Sequence, residues 1–316
     1  MGRDTSGSVA ATSRPARGLK HYLYVVFSGL TMGAADVVPG VSGGTMAFIM
    51  GIYEELVDAL KAFNWRLLLM LARLRFREAV AAVPWRFLVV LGVGIVAAIL
   101  VLAGPVGWLL DHHPLPLFAF FLGLVLASIV TVGARLRWSV TAALSVLSGA
   151  GAAYWLVGLV PMEMSHDWMT LFLSGAAAIT AMILPGISGS FILLVLGQYE
   201  FAIDAVRDRD FLAILPLVKG AVCGILPFVR ILSWLLRRHH QITIALLVGL
   251  MAGSLRKVWP FKAAVPVHGE PSVLREVNAL PEFDGAFLLA LGLCVLGFLL
   301  VLGLNRLAGD KTLAGN

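Results

Sequence analysis

Charge is scarce in this sequence. Only 13% of its 316 residues are Asp, Glu, Lys or Arg, while 59% are hydrophobic, and the mean hydropathy is +0.92. A soluble globular domain carries about a quarter charged residues, so a fold surrounded by water is excluded. Cysteine is nearly absent. Cys223 and Cys294 both fall inside apolar runs, which argues against a disulfide framework. The seven histidines have no Cys or Glu set at ligand spacing, so neither a metal centre nor another cofactor is expected. Residues 1–18 lack an apolar core segment and a small-residue cleavage site, and read as a disordered cytoplasmic tail instead of a signal peptide.

What is present is apolar sequence in membrane-length runs, at 87–108, 115–134, 138–160, 211–236, 241–256 and 285–304. Runs this long exclude a β-barrel. The expected fold is an all-α polytopic integral membrane protein.

Two segments break their apolar runs in the same way. Residues 36–45 read Asp-Val-Val-Pro-Gly-Val-Ser-Gly-Gly-Thr, and residues 182–191 read Met-Ile-Leu-Pro-Gly-Ile-Ser-Gly-Ser-Phe. Aligning 27–60 with 173–206 gives 12 identities in 34 positions, among them Pro39/Pro185, Ser42/Ser188, Tyr53/Tyr199 and Glu54/Glu200. The match resumes at an offset of 126, with Gly94/Gly220, Trp108/Trp234, Gly123/Gly249 and Ser128/Ser254. The chain is therefore an internal duplication. Repeat one covers 19–160 with a basic cytoplasmic loop at 61–86. Repeat two covers 161–308 with an outer loop at 257–284, followed by a cytoplasmic tail at 309–316.

Each repeat reads as a broken, re-entrant helical hairpin plus three transmembrane helices. A hairpin returns to its starting side and three crossings are odd, so the second repeat must be inverted relative to the first. Basic residues agree. With the N-terminus inside, sixteen of the 24 Lys and Arg fall in cytoplasmic pieces and six in outer ones, so both termini are expected in the cytoplasm. This bias accounts for the net charge of +6 without a nucleic-acid partner.

The remaining two cations, Lys219 and Arg230, lie inside the span 211–236. They either snorkel to their own interfaces or face a cavity as two stations for a travelling anion.

Pro39 and Pro185 each remove a backbone donor and disfavour continued helix. The following glycines permit tight turns and let a ligand approach the backbone. Gly40, Ser42, Gly43, Gly44 and Thr45 from one loop, with Gly186, Ser188, Gly189 and Ser190 from the other, present amides and hydroxyls suited to an anion. The competing reading is close helix packing through small residues. Asp36 has only Met182 as its equivalent; it is a proton carrier, a lid on the basic site, or a cap on the broken helix. Glu54 and Glu200 mark an interface or take part in gating or proton coupling.

The stretch 32–45, followed by Gly-Ile-Tyr-Glu at 51–54, resembles the signature of the bacterial DUF368 family. Leu-Pro-Gly-Ile-Ser-Gly-Ser-Phe at 184–191, with Gly-Gln-Tyr-Glu at 197–200, resembles that family's second motif. The resemblance covers most of 20–305. It implies a polyprenyl-phosphate, specifically undecaprenyl phosphate, transporter that returns the lipid carrier from the outer to the inner leaflet of the bacterial cytoplasmic membrane for envelope synthesis. Polyprenyl phosphate and membrane lipids are then the expected partners. A membrane lipid pyrophosphate phosphatase and a small-anion transporter or channel are the alternatives. Neither Ser-Gly loop contains the arginine that a phosphatase clamp needs, and no intramembrane Glu pair accompanies them. The sequence leaves the oligomeric state and coupling ion open.

Overall fold

The computed structural model describes residues 18–38, 40–159, 164–267 and 270–313. Most of the 1–18 tail and Pro39 lie outside the described residues. Fourteen helices run in the order α1 (Leu19–Asp36), α2 (Gly43–Ile49), α3 (Tyr53–Lys61), α4 (Trp65–Ala72), α5 (Phe76–Ala82), α6 (Trp85–His112), α7 (Pro114–Gly133), α8 (Val140–Val157), α9 (Trp168–Ile183), α10 (Gly189–Val195), α11 (Tyr199–Arg207), α12 (Leu215–Arg238), α13 (His240–Val258) and α14 (Gly285–Leu313). Six of them, α6, α7, α8, α12, α13 and α14, are long and apolar enough to cross a membrane. They coincide with the six apolar runs of the sequence. The pair α10 and α11 makes a seventh span only if its 109° bend is ignored.

Two connecting segments carry secondary structure of their own. The segment 61–86 contains α4 and α5, closed by a small cluster of Leu67, Ala79 and Val83. The segment 257–284 carries an antiparallel hairpin of β1 (Lys262–Val267) and β2 (Glu270–Asn278), a small addition to an otherwise helical fold. Val-rich β1 alternates too briefly for the composition of the whole to reveal it.

Glycine governs how the spans pack. In the α1–α6 pair, a Cβ on Gly29 would overlap the Leu91 carbonyl, and one on Gly94 would overlap the Val26 carbonyl. In α9–α12 the same happens between Gly175 and Leu217 and between Gly220 and Phe172. These are the same contacts repeated at equivalent positions of the two halves. In both pairs one index rises as its partner falls, so the helices are antiparallel.

The remaining spans pair across the halves. Gly149 of α8 abuts the Leu246 carbonyl of α13, and Gly249 abuts that of Val146. Gly297 of α14 abuts the Phe120 carbonyl of α7, and Gly123 abuts that of Cys294. The positions Val146/Cys294 and Gly149/Gly297 match at a third offset, 148, which the sequence comparison missed. Each half lends its last span to the other.

Candidate functional site

Both motif loops end a helix and begin a short one. Gly40 has φ +88° and Gly186 has φ +91°, a left-handed turn that only glycine adopts without strain. The turns after the short helices repeat as well, with Gly51 at φ +67° and Gly197 at φ +66°.

The structure brings the two loops together. The backbone N–H of Gly186 donates to Thr45 Oγ1 at 2.8 Å. Tyr53, only 2% exposed, donates its hydroxyl to the Ile183 carbonyl at 3.2 Å. A Cβ on Gly44 would lie 2.9 Å from that same carbonyl, so the start of α2 is pressed against the end of α9. The buried polar atoms of one repeat are thereby satisfied by the other, as atoms out of reach of water must be.

The two loops differ in accessibility. Residues 40–47 of the first are all buried. Asp36 Oδ1 accepts from the Gly43 N–H at 2.7 Å, and Ser42 Oγ accepts from the Gly44 N–H at 3.1 Å. The amides expected to hold an anion at Gly43 and Gly44 are therefore already engaged, and of the three roles open to Asp36 the cap is the one the geometry displays. In the second loop Met182 replaces Asp36 and stands exposed. Ser188 and Ser190 hydrogen-bond to each other at 2.7 Å at the accessible mouth, while Gly189 is buried.

A cation missed in the sequence lies between them. The Lys257 stem crosses Gly40, with its Cγ 2.6 Å from where a Cβ on that glycine would be. Its Nζ sits 5.2 Å from the centroid of the Phe191 ring on α10. Lys257 thus touches both motif segments from the end of α13. It also lines a cavity of about 710 Å³ with Phe118, Phe261, Lys262, Glu282 and Asp284. The Lys262 Nζ lies 4.9 Å from the centroid of Phe118. The sequence signal was available: Lys257 is the last cation before the end of an apolar span, but a count of basic residues by side assigns it to a loop.

Lys219 and Arg230 are not brought to the loops. Lys219 is exposed and Arg230 half-buried on α12, and among the described residues neither makes a hydrogen bond or ion pair. Their eleven-residue spacing puts them on one face of α12, which packs on α9, α3 and α13. Glu54 pairs with His240 Nε2 at 2.9 Å, next to Asp58, which accepts from Ser233 Oγ at 3.0 Å. Glu200, its equivalent, is exposed on α11. The amphipathic α3 is thus tied to α12 and α13 by polar contacts, while α11 packs mainly against α10.

The chemistry on offer is cationic and hydroxylic over apolar and aromatic walls, which suits an amphiphile with an anionic head. Comparison with known proteins agrees. The model of the VCA0040-like, undecaprenyl phosphate translocase-like family matches residues 32–272. A polyprenyl-phosphate transporter of Vibrio cholerae serotype O1 is 41% identical over 300 residues, covering 91% of this chain and 97% of that protein. A polyprenyl-phosphate transporter of Staphylococcus aureus is 29% identical over 306 residues, covering 90% of this chain and 97% of that protein. No solved structure matches. With a motif pair at its centre and a family match over most of its length, the chain belongs to the VCA0040-like, undecaprenyl phosphate translocase-like family.

Proposed function

We propose that this protein carries polyprenyl phosphate, undecaprenyl phosphate in particular, from the outer to the inner leaflet of the bacterial cytoplasmic membrane. The observation that carries the reading is the meeting of the two Pro-Gly-x-Ser-Gly loops, with Thr45 bonded to Gly186 and Lys257 laid across Gly40 toward Phe191. A phosphate monoester carries about −1.5 to −2 charges, and its head must cross about 30 Å of hydrocarbon. The accessible Ser188 and Ser190 hydroxyls, the Gly189 backbone and Lys257 replace part of its water. The prenyl tail stays in lipid. Gly40, Ser42, Gly43, Gly44 and Thr45 form the wall that holds the second loop in place. Lys219 and Arg230 remain outer contacts on α12 for the lipid or its approach.

The inverted arrangement of the repeats belongs to the same proposal. Helix α1 begins near the C-terminal end of α14, since Lys20, His21, Leu304 and Asn305 line one cavity. The start of α9 follows the opposite end of α8. The paired glycine contacts and the basic-residue distribution support the same arrangement, with both termini in the cytoplasm.

Reconstitution into liposomes with polyprenyl phosphate in one leaflet tests the function. Protein-dependent exchange is the expected result. Absence of exchange by folded protein overturns the proposal, and release of inorganic phosphate from the pyrophosphate lipid replaces it with a phosphatase.

A further inference from the structure

The antiparallel pair α7–α14 has a cavity at each end. One contains Lys257 and Lys262. The other, of about 510 Å³, is lined by Lys20, His21, Tyr24, Phe48, Arg135 and Asn305 with their neighbours. Along α14 the two cavities touch Ala286 and Leu304 respectively. At 1.5 Å per residue these are about 27 Å apart, close to the thickness of the hydrocarbon layer. The cavities therefore lie at opposite membrane faces.

We propose that this second cavity is an anion station for the same lipid phosphate, holding its headgroup at the face where α1 begins. The proposal rests on the translocase reading above and assigns it a second binding site.

Charge is the first argument. Lys20 and Arg135 are exposed at the cavity, and no carboxylate is among its described lining residues, whereas Glu282 and Asp284 line the cavity at the other end. Glu55 lies 3.9 Å from the Nε2 of the His21 ring. The hydroxyls are committed elsewhere. Tyr24 donates to the Met50 carbonyl at 2.5 Å, Ser128 to that of Leu124 at 2.6 Å and Thr131 to that of Ala127 at 2.7 Å. An anion entering here meets the two cations and the Asn305 amide, above a floor of Phe48, Ile49 and Val132 that accepts prenyl carbon.

Duplication supplies the second argument. At the offset of 126, Thr131 occupies the place of Lys257 and Arg135 that of Phe261. Equivalent positions line both cavities, but the cation comes from a different position in each. Inheritance of the scaffold alone would have repeated the residue type. Here the cationic character is retained while the residue supplying it has moved.

Position supplies the third. Phe48 and Ile49 end the short helix α2, whose start is the first motif loop. At seven residues, α2 spans about 10 Å between that loop and this cavity. The cavity also continues into one of about 330 Å³ that shares Phe48, Gly51, Val132 and Arg135 and reaches Glu54, which is paired with His240.

The test compares full-length wild type, the neutral pair Lys20→Gln with Arg135→Gln, and the charge-keeping pair Lys20→Arg with Arg135→Lys in oriented proteoliposomes. Loss of charge-assisted contacts should lower exchange and binding of polyprenyl phosphate about tenfold or more. The charge-keeping pair retains most of both, which controls for folding. Polyprenol, lacking phosphate, is insensitive to either pair, and inorganic phosphate competes weakly. Wild-type exchange by the neutral pair overturns the station and leaves the translocase reading intact. Inorganic phosphate binding as tightly as the lipid also overturns it. Wild-type protein that exchanges no polyprenyl phosphate overturns the translocase reading itself, before any variant is compared.

Discussion

The N–H of Gly186 donates to Thr45 Oγ1 across a gap of 141 residues. Both residues are buried, and the bond links the two motif loops directly. Thr45→Val preserves shape but leaves the Gly186 N–H without an acceptor. A stranded buried donor costs about 1–3 kcal/mol, so the variant should melt at lower temperature and exchange lipid more slowly. Thr45→Ser keeps the oxygen and should restore most of both. Equal melting of the Val and Ser variants would show that the bond is dispensable.

Lys257 tests the motif-spanning cation. Lys257→Gln keeps most of the stem that covers Gly40 but removes the charge facing Phe191. Exchange of polyprenyl phosphate should fall about tenfold or more, with melting close to wild type. Undiminished exchange would remove Lys257 from the transport site.

Asp36 separates a cap from a charge. Asp36→Asn keeps an acceptor for the Gly43 N–H, whereas Asp36→Ala loses it. Thermal melting should place the Asn variant near wild type and the Ala variant about 1 kcal/mol lower. A reversed order would mean that the carboxylate does not act as a cap.

Glycine placement gives a paired prediction. A Cβ on Gly220 would overlap the Phe172 carbonyl, while one on Gly107 meets nothing within 4 Å. Gly220→Ala should destabilise by about 1–3 kcal/mol through overpacking. Gly107→Ala, in the interior of α6, should stabilise by about 0.5–1 kcal/mol through helix propensity. Melting curves of the two variants check the signs.

Asp167 caps α9, accepting from the N–H groups of Met169 and Thr170 at 2.9 Å each. Hydrogen bonding, first from the Ser165 hydroxyl and then from Thr170, lowers its pKa from the usual 3.8 to about 2. The folded value lies below the unfolded one. Its stabilising contribution is therefore complete above the unfolded pKa and is lost as the pH falls through the folded one. An acid titration of melting temperature should show a component between about pH 4 and pH 2 that disappears in Asp167→Asn.

The six long spans were legible because their apolar runs exceed what a soluble helix needs. The helix breaks were legible because Pro-Gly-x-Ser-Gly interrupts two such runs at matched positions. The site was only half legible. Loop residues converge as the repeat implied, but the sequence could not tell that Asp36 would occupy the amide of Gly43. That depends on the turn through Gly40, which is a matter of three-dimensional return and leaves no mark on spacing. Lys219 stands out in the sequence because it lies inside an apolar run, but the run does not show which side of the helix it occupies, and on α12 (Leu215–Arg238) it is exposed. Lys257 escaped notice for the converse reason, since it lies at a span's end and reaches inward. The pairing of α8 with α13 was invisible because small residues line nearly every span.

That pairing has a consequence for biogenesis. Helix α8 (Val140–Val157) packs its glycine face on α13 (His240–Val258), and α14 returns the exchange on α7. During synthesis α8 leaves the ribosome about 100 residues before its partner is complete, a wait of about 5–20 s at ordinary elongation rates. Throughout that interval the Gly149 seam faces lipid or the insertion machinery. The amino-terminal repeat is therefore not an independent folding unit, and the protein completes its packing only as the last span enters the membrane.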